Sequence, residues 1–171
     1  MELPILFNSV MVRAILAGRK TQTRRAIKLK EFQKSTTRGY DFIFRDDRML
    51  WNDVTLAKAL NPPSKHYPFR SPFGQPGDLL WVAEQQGARI WLKVGRVWVE
   101  RVQDISAFDC FGEGIHGSGA QWATGADDNA AYKSTPRLAF SYLWDSIYAA
   151  KGLGWDSNPY VWCCEFERVD K

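Results

Sequence analysis

The chain has 171 residues, of which 45% are hydrophobic, and this length predicts one domain, residues 1–171, around a single core. It has no run of about 18 apolar residues and no signal-peptide pattern at its start, so we expect a cytoplasmic protein without a membrane partner. Three cysteines and two histidines are too few for a disulfide framework or a zinc motif, so no metal or other cofactor is predicted.

The positive charge is concentrated in the first part of the chain. Residues 1–70 hold 14 Lys and Arg against 6 Asp and Glu, whereas residues 71–171 hold 9 against 13. Seven basic residues lie between Arg13 and Lys30 with no acid among them. Such a cluster is either a solvated surface or a site for a phosphate-bearing partner, and a local basic surface favours nucleic acid.

The first element is predicted to be a short helix in "NSVMVRAILAGRK". Ser9 is a suitable cap, and Gly18 is placed to end the helix. Val10, Ile15 and Leu16 are expected to form its apolar face. The following "KTQTRRAI" has no helical period, which indicates an extended segment or a turn.

Residues of about 26–76 have the least regular pattern and are interpreted as an insertion. A hairpin is predicted around "TTRGYDFIFRDDRMLW", which includes Gly39, and a proline-rich loop follows it. The pattern then becomes regular, with a Pro-Gly-Asp turn before a strand from Leu79 to Val82. "ARIWLKVGRVWVERVQDI" predicts a strand pair or bent strand, with Gly95 as a turn or bulge.

Two further helices are predicted in the second half. The first is short, capped by Asp104 or Ser106, and ends at Gly112 or Gly114. An insertion at about 117–134 follows and is predicted to be a mobile loop.

The second helix is capped by Thr135, has Pro136 at its first position and ends at Gly152. Its predicted apolar face consists of Leu138, Tyr142, Leu143 and Ile147. "NPYVWCCEFERV" predicts a final strand. These elements predict an α+β fold, a small β-barrel with short helices over its openings.

Four motifs follow one another along the chain: "AGRKTQTRR", "PGDLLWV", "VERVQDISAFDCFGEGI" and "WCCEFERV". In this order they resemble the ASCH family, whose β-barrel fold is similar to the PUA domain of RNA-modifying enzymes. The resemblance covers nearly the full length, and "FGQPGDLLWVAE" is similar to longer ASCH proteins that phages and prophages often encode. It implies a PUA-like fold that binds RNA, another nucleic acid or a modified nucleoside.

The resemblance also implies candidate site residues. Some small ASCH proteins remove an acetyl group from the exocyclic amine of cytidine, and their catalytic positions correspond to Lys20, Thr23 and Glu113. Others are described as ribonucleases or as RNA-binding modules. The predicted substrate-binding or nucleic-acid-binding residues are Gly18, Arg19, Thr21, Arg24, Arg25 and Trp122, the last as a base-stacking ring.

Amide hydrolysis needs a nucleophile, a base and stabilisation of an oxyanion. Thr23 is the candidate nucleophile and Lys20 its base, provided that burial or the neighbouring arginines lower the pKa of Lys20. Glu113 is expected to hold the lysine or to pass a proton to the leaving amine.

Three functions are left open by the sequence. They are a nucleic-acid-binding module with or without catalysis, a hydrolase acting on acylated cytidine, and a non-catalytic phage accessory protein that contacts another protein. Oligomeric state is not predicted.

Overall fold

The computed structural model describes residues 1–27, 40–45, 48–53, 67–83, 89–123 and 132–171. Its helices are α1 Ser9–Leu16, α2 Ala107–Gly112 and α3 Pro136–Tyr148, with 3-10 turns at Val102–Asp104, Ala149–Lys151 and Trp155–Ser157. Its strands are β1 Glu2–Ile5, β2 Gln22–Ala26, β3 Tyr40–Arg45, β4 Arg48–Asp53, β5 Tyr67–Arg70, β6 Leu79–Ala83, β7 Arg89–Arg101, β8 His116–Ser118, β9 Gln121–Ala123 and β10 Tyr160–Val169.

The main element is a five-stranded mixed sheet in the order β1-β6-β7-β10-β2. β1 runs parallel to β6, and the other neighbours are antiparallel. The α+β class is therefore confirmed, but the predicted closed barrel is wrong, because β1 and β2 are the two edges of an open sheet. The two residues just before β2 contact the end of α2: the Thr21 amide donates to the Gly112 carbonyl at 2.8 Å, and Lys20 forms a bridge with Glu113.

The segment predicted to be an insertion contains a second sheet. β3, β4 and β5 form an antiparallel sheet in chain order. The hairpin predicted in this segment is confirmed as β3 and β4, whereas Gly39 lies outside the described residues.

Hydrophobic cores lie on both faces of the main sheet, and β10 contributes to both. Trp162, Cys164 and Phe166 belong to the core that contains Ile15 of α1. Val161 and Cys163 belong to the core that α2 and α3 cover. Because successive strand residues point to opposite faces, a strand buried on both sides reads as a continuous apolar run, as "YVWCC" does.

The first helix differs from the expectation at its start. Its N-cap is Asn8, whose side chain accepts a hydrogen bond from the Met11 amide, and Ser9 is the first helical residue. Ile15 is buried as predicted, but Leu16 is 46% exposed. Gly18 ends the helix as predicted, with a φ of +69° that favours glycine.

The caps of the other two helices are confirmed. The Ser106 side chain accepts from the Asp109 amide, and the Thr135 side chain accepts from the Leu138 amide. A 3-10 turn continues α3 to Gly152, which has a φ of +71°. The predicted apolar face of α3 is wrong in part, since Leu138 and Tyr142 are 40% and 57% exposed.

Three aromatic residues at four-residue spacing form the buried face of α3. They are Phe140, Trp144 and Tyr148, with Trp144 and Tyr148 stacked at 4.2 Å between ring centroids. Burial of large rings removes more apolar area from water than burial of Leu138 would, so the helix turns these rings towards the sheet.

Backbone pairing decides two predictions, one for Gly95 and one for the loop that begins at residue 117. β7 is one continuous strand, and the register shift near Cys164 and Phe166 places Gly95 at a bulge rather than in a turn. The predicted loop from residue 117 begins as a hairpin, β8 with β9, in which Gly117 pairs with Trp122. Residues 124–131 of that prediction lie outside the described part of the chain.

Gly117 gives a test of this hairpin. A Cβ at this position would lie 1.9 Å from the Gln121 carbonyl oxygen, and its φ of +144° is strained for other residues. We expect Gly117→Ala to lower the free energy of unfolding by more than about 2 kcal/mol in chemical denaturation. Gly119→Ala is the control, because Gly119 also has positive φ but open space around it, and it should cost about 1 kcal/mol. Equal losses would contradict this packing.

Candidate active site

Two chain segments bring a lysine and a glutamate together inside the protein. After α1, the Arg19 and Lys20 amides both donate to the Ala14 carbonyl, which turns the chain towards β2. Lys20 Nζ donates to Glu113 Oε2 at 2.7 Å and to the Glu113 carbonyl at 3.1 Å. Lys20 is 2% exposed and Glu113 is 5% exposed. They form a buried ion pair between β2 and the end of α2.

The same glutamate also binds Arg24. Arg24 Nη1 donates to Glu113 Oε1 at 3.2 Å, and Arg24 Nε donates to Glu100 Oε1 at 2.7 Å. Arg24 Nη1 also donates to Gln22 Oε1. Arg24 Nη2 lies 3.7 Å from Asp109 Oδ2 and is buried without a hydrogen-bond partner among the described residues. The Arg24 charge is therefore directed into the protein and not towards solvent.

These contacts set the ionisation of the buried cations. Burial lowers the pKa of Lys20 below its ordinary value, the Glu113 carboxylate opposes that shift, and Arg25 and Arg24 lower the pKa further. For Arg24, burial lowers the pKa, but the surrounding carboxylates outweigh it and raise the pKa, so the guanidinium stays charged. Of the two cations, Lys20 is the one that can lose its proton.

Thr23 and Arg25 lie on the opposite face of β2 from Arg24. Thr23 pairs with Cys164 of β10 and is 2% exposed. The hydrogen bonds of Lys20 within the described chain go to Glu113, not to Thr23. Arg25 Nη2 donates to the Leu6 carbonyl at 2.6 Å, and its guanidinium carbon lies 5.3 Å from the Phe7 ring centroid.

Phe7 lies beside both Lys20 and Arg25. Lys20 Nζ lies 5.7 Å from the same ring centroid, so the lysine and Arg25 share one aromatic ring. Phe7 itself packs on Phe166, with ring centroids 6.1 Å apart.

The remaining candidates lie around this pair. Gly18 and Thr21 are exposed, and Thr21 is held by main-chain bonds to Gly112 and Phe166. Arg19 Nη1 lies 3.4 Å from His116 Nδ1. Arg19 is thus held next to β8 at the rim of the site.

The two faces of the Trp122 ring are not both exposed, because one of them packs on Phe111. Its Nε1 donates to the Gly119 carbonyl at 2.7 Å, and its ring stacks on Phe111 with 5.4 Å between centroids. The half-buried indole therefore packs against α2.

Sequence reasoning missed Asp109 and Glu100, the two other carboxylates close to Arg24. Asp109 precedes Glu113 by four residues around α2, and this spacing is a signal that could have found it. Its carboxylate accepts from Gln22 Nε2 at 3.0 Å. Glu100 reaches Arg24 from β7 across the sheet, and no local pattern connects the two residues.

Two further features are absent from the described residues. None of its helices is long and apolar enough to cross a membrane. In the same residues, no group of three or more His, Cys, Asp and Glu side chains is arranged to hold a metal ion.

The chain is similar to solved structures, but no family model and no curated protein matches it by sequence. The chain is similar to the crystal structure of an ASCH domain from Lactobacillus crispatus JV V101, with 12% identity and a TM-score of 0.48, over 98% of this chain and 79% of that one. It is also similar to a DUF984 protein of Enterococcus faecalis V583, with 12% identity and a TM-score of 0.44, over 92% and 66%.

The shared carboxylate predicts an order of stabilities. Glu113→Gln should lower the free energy of unfolding by about 3–5 kcal/mol, because two buried cations lose their common anion. Lys20→Met should cost less, because Arg24 still neutralises Glu113. Chemical denaturation at neutral pH measures both.

Glu167→Gln is the matched control for this comparison. Glu167 pairs with Lys93 at 3.5 Å in solvent, so its loss should cost about 0–1 kcal/mol. If Lys20→Met proved as costly as Glu113→Gln, Arg24 would not be compensating the carboxylate.

Proposed function

We propose that this protein binds RNA, another nucleic acid or a modified nucleoside at the segment Gly18–Arg25, and hydrolyses an acyl amide on the exocyclic amine of cytidine. The observation that carries the proposal is the buried pair of Lys20 and Glu113, at 2.7 Å, in which burial lowers the pKa of the lysine. A lysine whose pKa is lowered by burial is a candidate general base, and the neighbouring carboxylate is a candidate for passing on its proton.

The proposed reaction uses Thr23 as nucleophile. Its Oγ1 attacks the acyl carbon while neutral Lys20 accepts the hydroxyl proton, and the carbonyl electrons move to the oxygen. When the C–N bond breaks, Lys20 gives this proton to the leaving amine, either directly or through the Glu113 carboxylate. Water then hydrolyses the acyl-threonine ester, releasing the carboxylic acid. Because Thr23 is 2% exposed, this reaction requires that substrate binding open a path to its hydroxyl.

Binding is assigned to the cations at the rim. Arg19 and Arg25 are half-buried, in contrast to Lys20 and Arg24, which are buried in ion pairs. Rim guanidinium groups can contact phosphate, and Phe7 adds an aromatic surface beside Arg25.

A binding module without hydrolysis is the second candidate. Two observations favour it: Thr23 is buried against β10, and both carboxylate oxygens of Glu113 are occupied by cations. A ribonuclease and a protein-contact function are further alternatives, for which the described residues supply no specific support.

Hydrolysis is tested with acetylcytidine, following its conversion to cytidine by chromatography. We expect Lys20→Met and Thr23→Val each to lower kcat by at least about 100-fold, since each removes a reacting group. Arg168→Gln, on the exposed end of β10, is the control and should retain activity. Unchanged turnover in both site variants would exclude the proposed roles, and no turnover in the wild type would leave only the binding module.

The pH profile of the same reaction provides a second readout. The rate should fall as the pH drops below the pKa of Lys20, because the protonated amine cannot act as a base. Arg25 lowers this pKa, so Arg25→Gln should move the acidic limb of the profile to higher pH. If the acidic limb stays at the same pH in Arg25→Gln, Lys20 is not the catalytic base.

Nucleic-acid binding is tested by fluorescence anisotropy with short single-stranded RNA at several salt concentrations. Affinity should decrease as salt rises, and Arg19→Gln should weaken binding and reduce the slope of log K against log salt by about 1. Arg89→Gln, at the start of β7, is the control. Binding weaker than micromolar, or independent of salt, would count against this function.

A further inference from the structure

Arg24 was expected to bind a ligand, but its guanidinium group faces three carboxylates inside the protein. Nη1 donates to Glu113 Oε1 at 3.2 Å, Nε donates to Glu100 Oε1 at 2.7 Å, and Nη2 lies 3.7 Å from Asp109 Oδ2. Arg24 is 3% exposed. Because arginine does not lose its proton in proteins, this side chain is a permanent positive charge beside Glu113.

The two carboxylate oxygens of Glu113 serve different cations. Oε1 accepts from Arg24, whereas Oε2 and the Glu113 carbonyl accept from Lys20 Nζ at 2.7 Å and 3.1 Å. A lysine ammonium group has three N–H donors, and the neutral amine has two donors and one lone pair. When Lys20 is neutral, its two donors can keep both bonds to Glu113, and the lone pair then points away from this residue.

This arrangement requires that Glu113 stay ionised. In a buried pair of one lysine and one carboxylate, loss of the lysine proton leaves an unpaired charge at low dielectric constant, which is costly. The carboxyl group would then take up a proton, and its O–H would donate to the amine and occupy the lone pair. With Arg24 present, the carboxylate is still paired after Lys20 becomes neutral, so the lone pair stays free.

The remaining titratable groups around these side chains keep a constant charge. Arg25 acts on Lys20 as a second permanent cation. The thiols of Cys110 and Cys163 interact with Arg24, but burial raises the pKa of both, to about 12 for Cys110. Both thiols are therefore neutral at the pH of an ordinary assay.

We propose that Arg24 is a positioning residue for the proposed hydrolysis: it keeps Glu113 as a carboxylate beside neutral Lys20, so that the lysine lone pair is free to accept the proton of the nucleophile. The inference rests on the proposed function for its reaction, but the protonation of Lys20 can be measured without turnover. Arg24 then serves the reaction and not the ligand, and contact with the ligand is left to the half-buried Arg19 and Arg25.

Lysine side-chain NMR follows the protonation of Lys20, whose signal is assigned by its absence in Lys20→Met. Arg24→Met leaves Glu113 to Lys20 alone, so the pKa of Lys20 should rise. Asp109→Asn removes a carboxylate that opposes Arg24, so the same pKa should fall. Arg24→Lys retains a positive charge and should titrate closer to the wild type than Arg24→Met. Shifts in the same direction in Arg24→Met and Asp109→Asn, or no shift in either, would overturn the inference.

Glu167→Gln is the matched control, because it removes a carboxylate that pairs with Lys93 in solvent, and it should leave the Lys20 titration unchanged. Circular dichroism shows whether each variant is folded. The Asp109 side chain is 26% exposed, so Asp109→Asn is expected to fold even if Arg24→Met does not. If Arg24→Met is unfolded, Asp109→Asn decides, and a rise or no shift in its Lys20 titration counts against the inference.

The pH profile of acetylcytidine hydrolysis separates the inference from the proposed function. In Arg24→Met, kcat at pH 7 should fall by at least about 10-fold and recover as the pH is raised, because Lys20 loses its proton there. A loss that is equal at every pH would mark a structural defect and overturn the inference. If Lys20 titrates as expected but the wild type hydrolyses nothing, the control of Lys20 by Arg24 stands and the hydrolase fails. If the wild type is active and Arg24→Met has an unchanged profile, the hydrolase stands and the role of Arg24 is wrong.

Discussion

The carboxylate of Glu113, held between Lys20 and Arg24, is the interaction on which the rest of this region depends. Each of its oxygens accepts from a different cation, at 2.7 Å and 3.2 Å. Charges buried away from water are tolerated only when they are paired and hydrogen-bonded. Because this carboxylate is shared by two cations and Glu100 supplies a second anion to Arg24, the chain can bury Lys20 and Arg24 next to a strand that is buried on both faces.

The same contact shapes the sheet. The end of α2 is held to the residues just before β2, because the Thr21 amide donates to the Gly112 carbonyl and Lys20 forms a bridge with Glu113. It also divides the basic run into two groups. Lys20 and Arg24 are buried and paired, whereas Arg19 and Arg25 lie at the rim, where they can meet a ligand.

Local sequence signals predicted the ends of helices correctly where a single residue determines the backbone conformation. Gly18, Ser106 and Thr135 end or begin helices as their chemistry predicts. The strands β6, β7 and β10 were predicted from their apolar residues, whereas β1, β5, β8 and β9 were not predicted. The exposed Leu138 and the open sheet were not predictable, because they depend on which elements pack together. Lys20 and Glu113 are 93 residues apart, so their proximity could be anticipated only from the order of motifs. Glu100 and Asp109 were missed because their roles arise from long-range pairing with Arg24 and Gln22.

The position of β10 has a consequence for how the protein folds. This strand lies between β7 and β2, and within the described chain it is the neighbour that β2 pairs with, at residues 161–165. Contacts between such distant segments carry a large loop-closure entropy and tend to form slowly. Until they form, Lys20 and Arg24 remain hydrated, and their desolvation accompanies docking of β2 on β10. The site is therefore expected to assemble late and together with the whole sheet, so that a population of molecules with a folded core but an unformed site should be small.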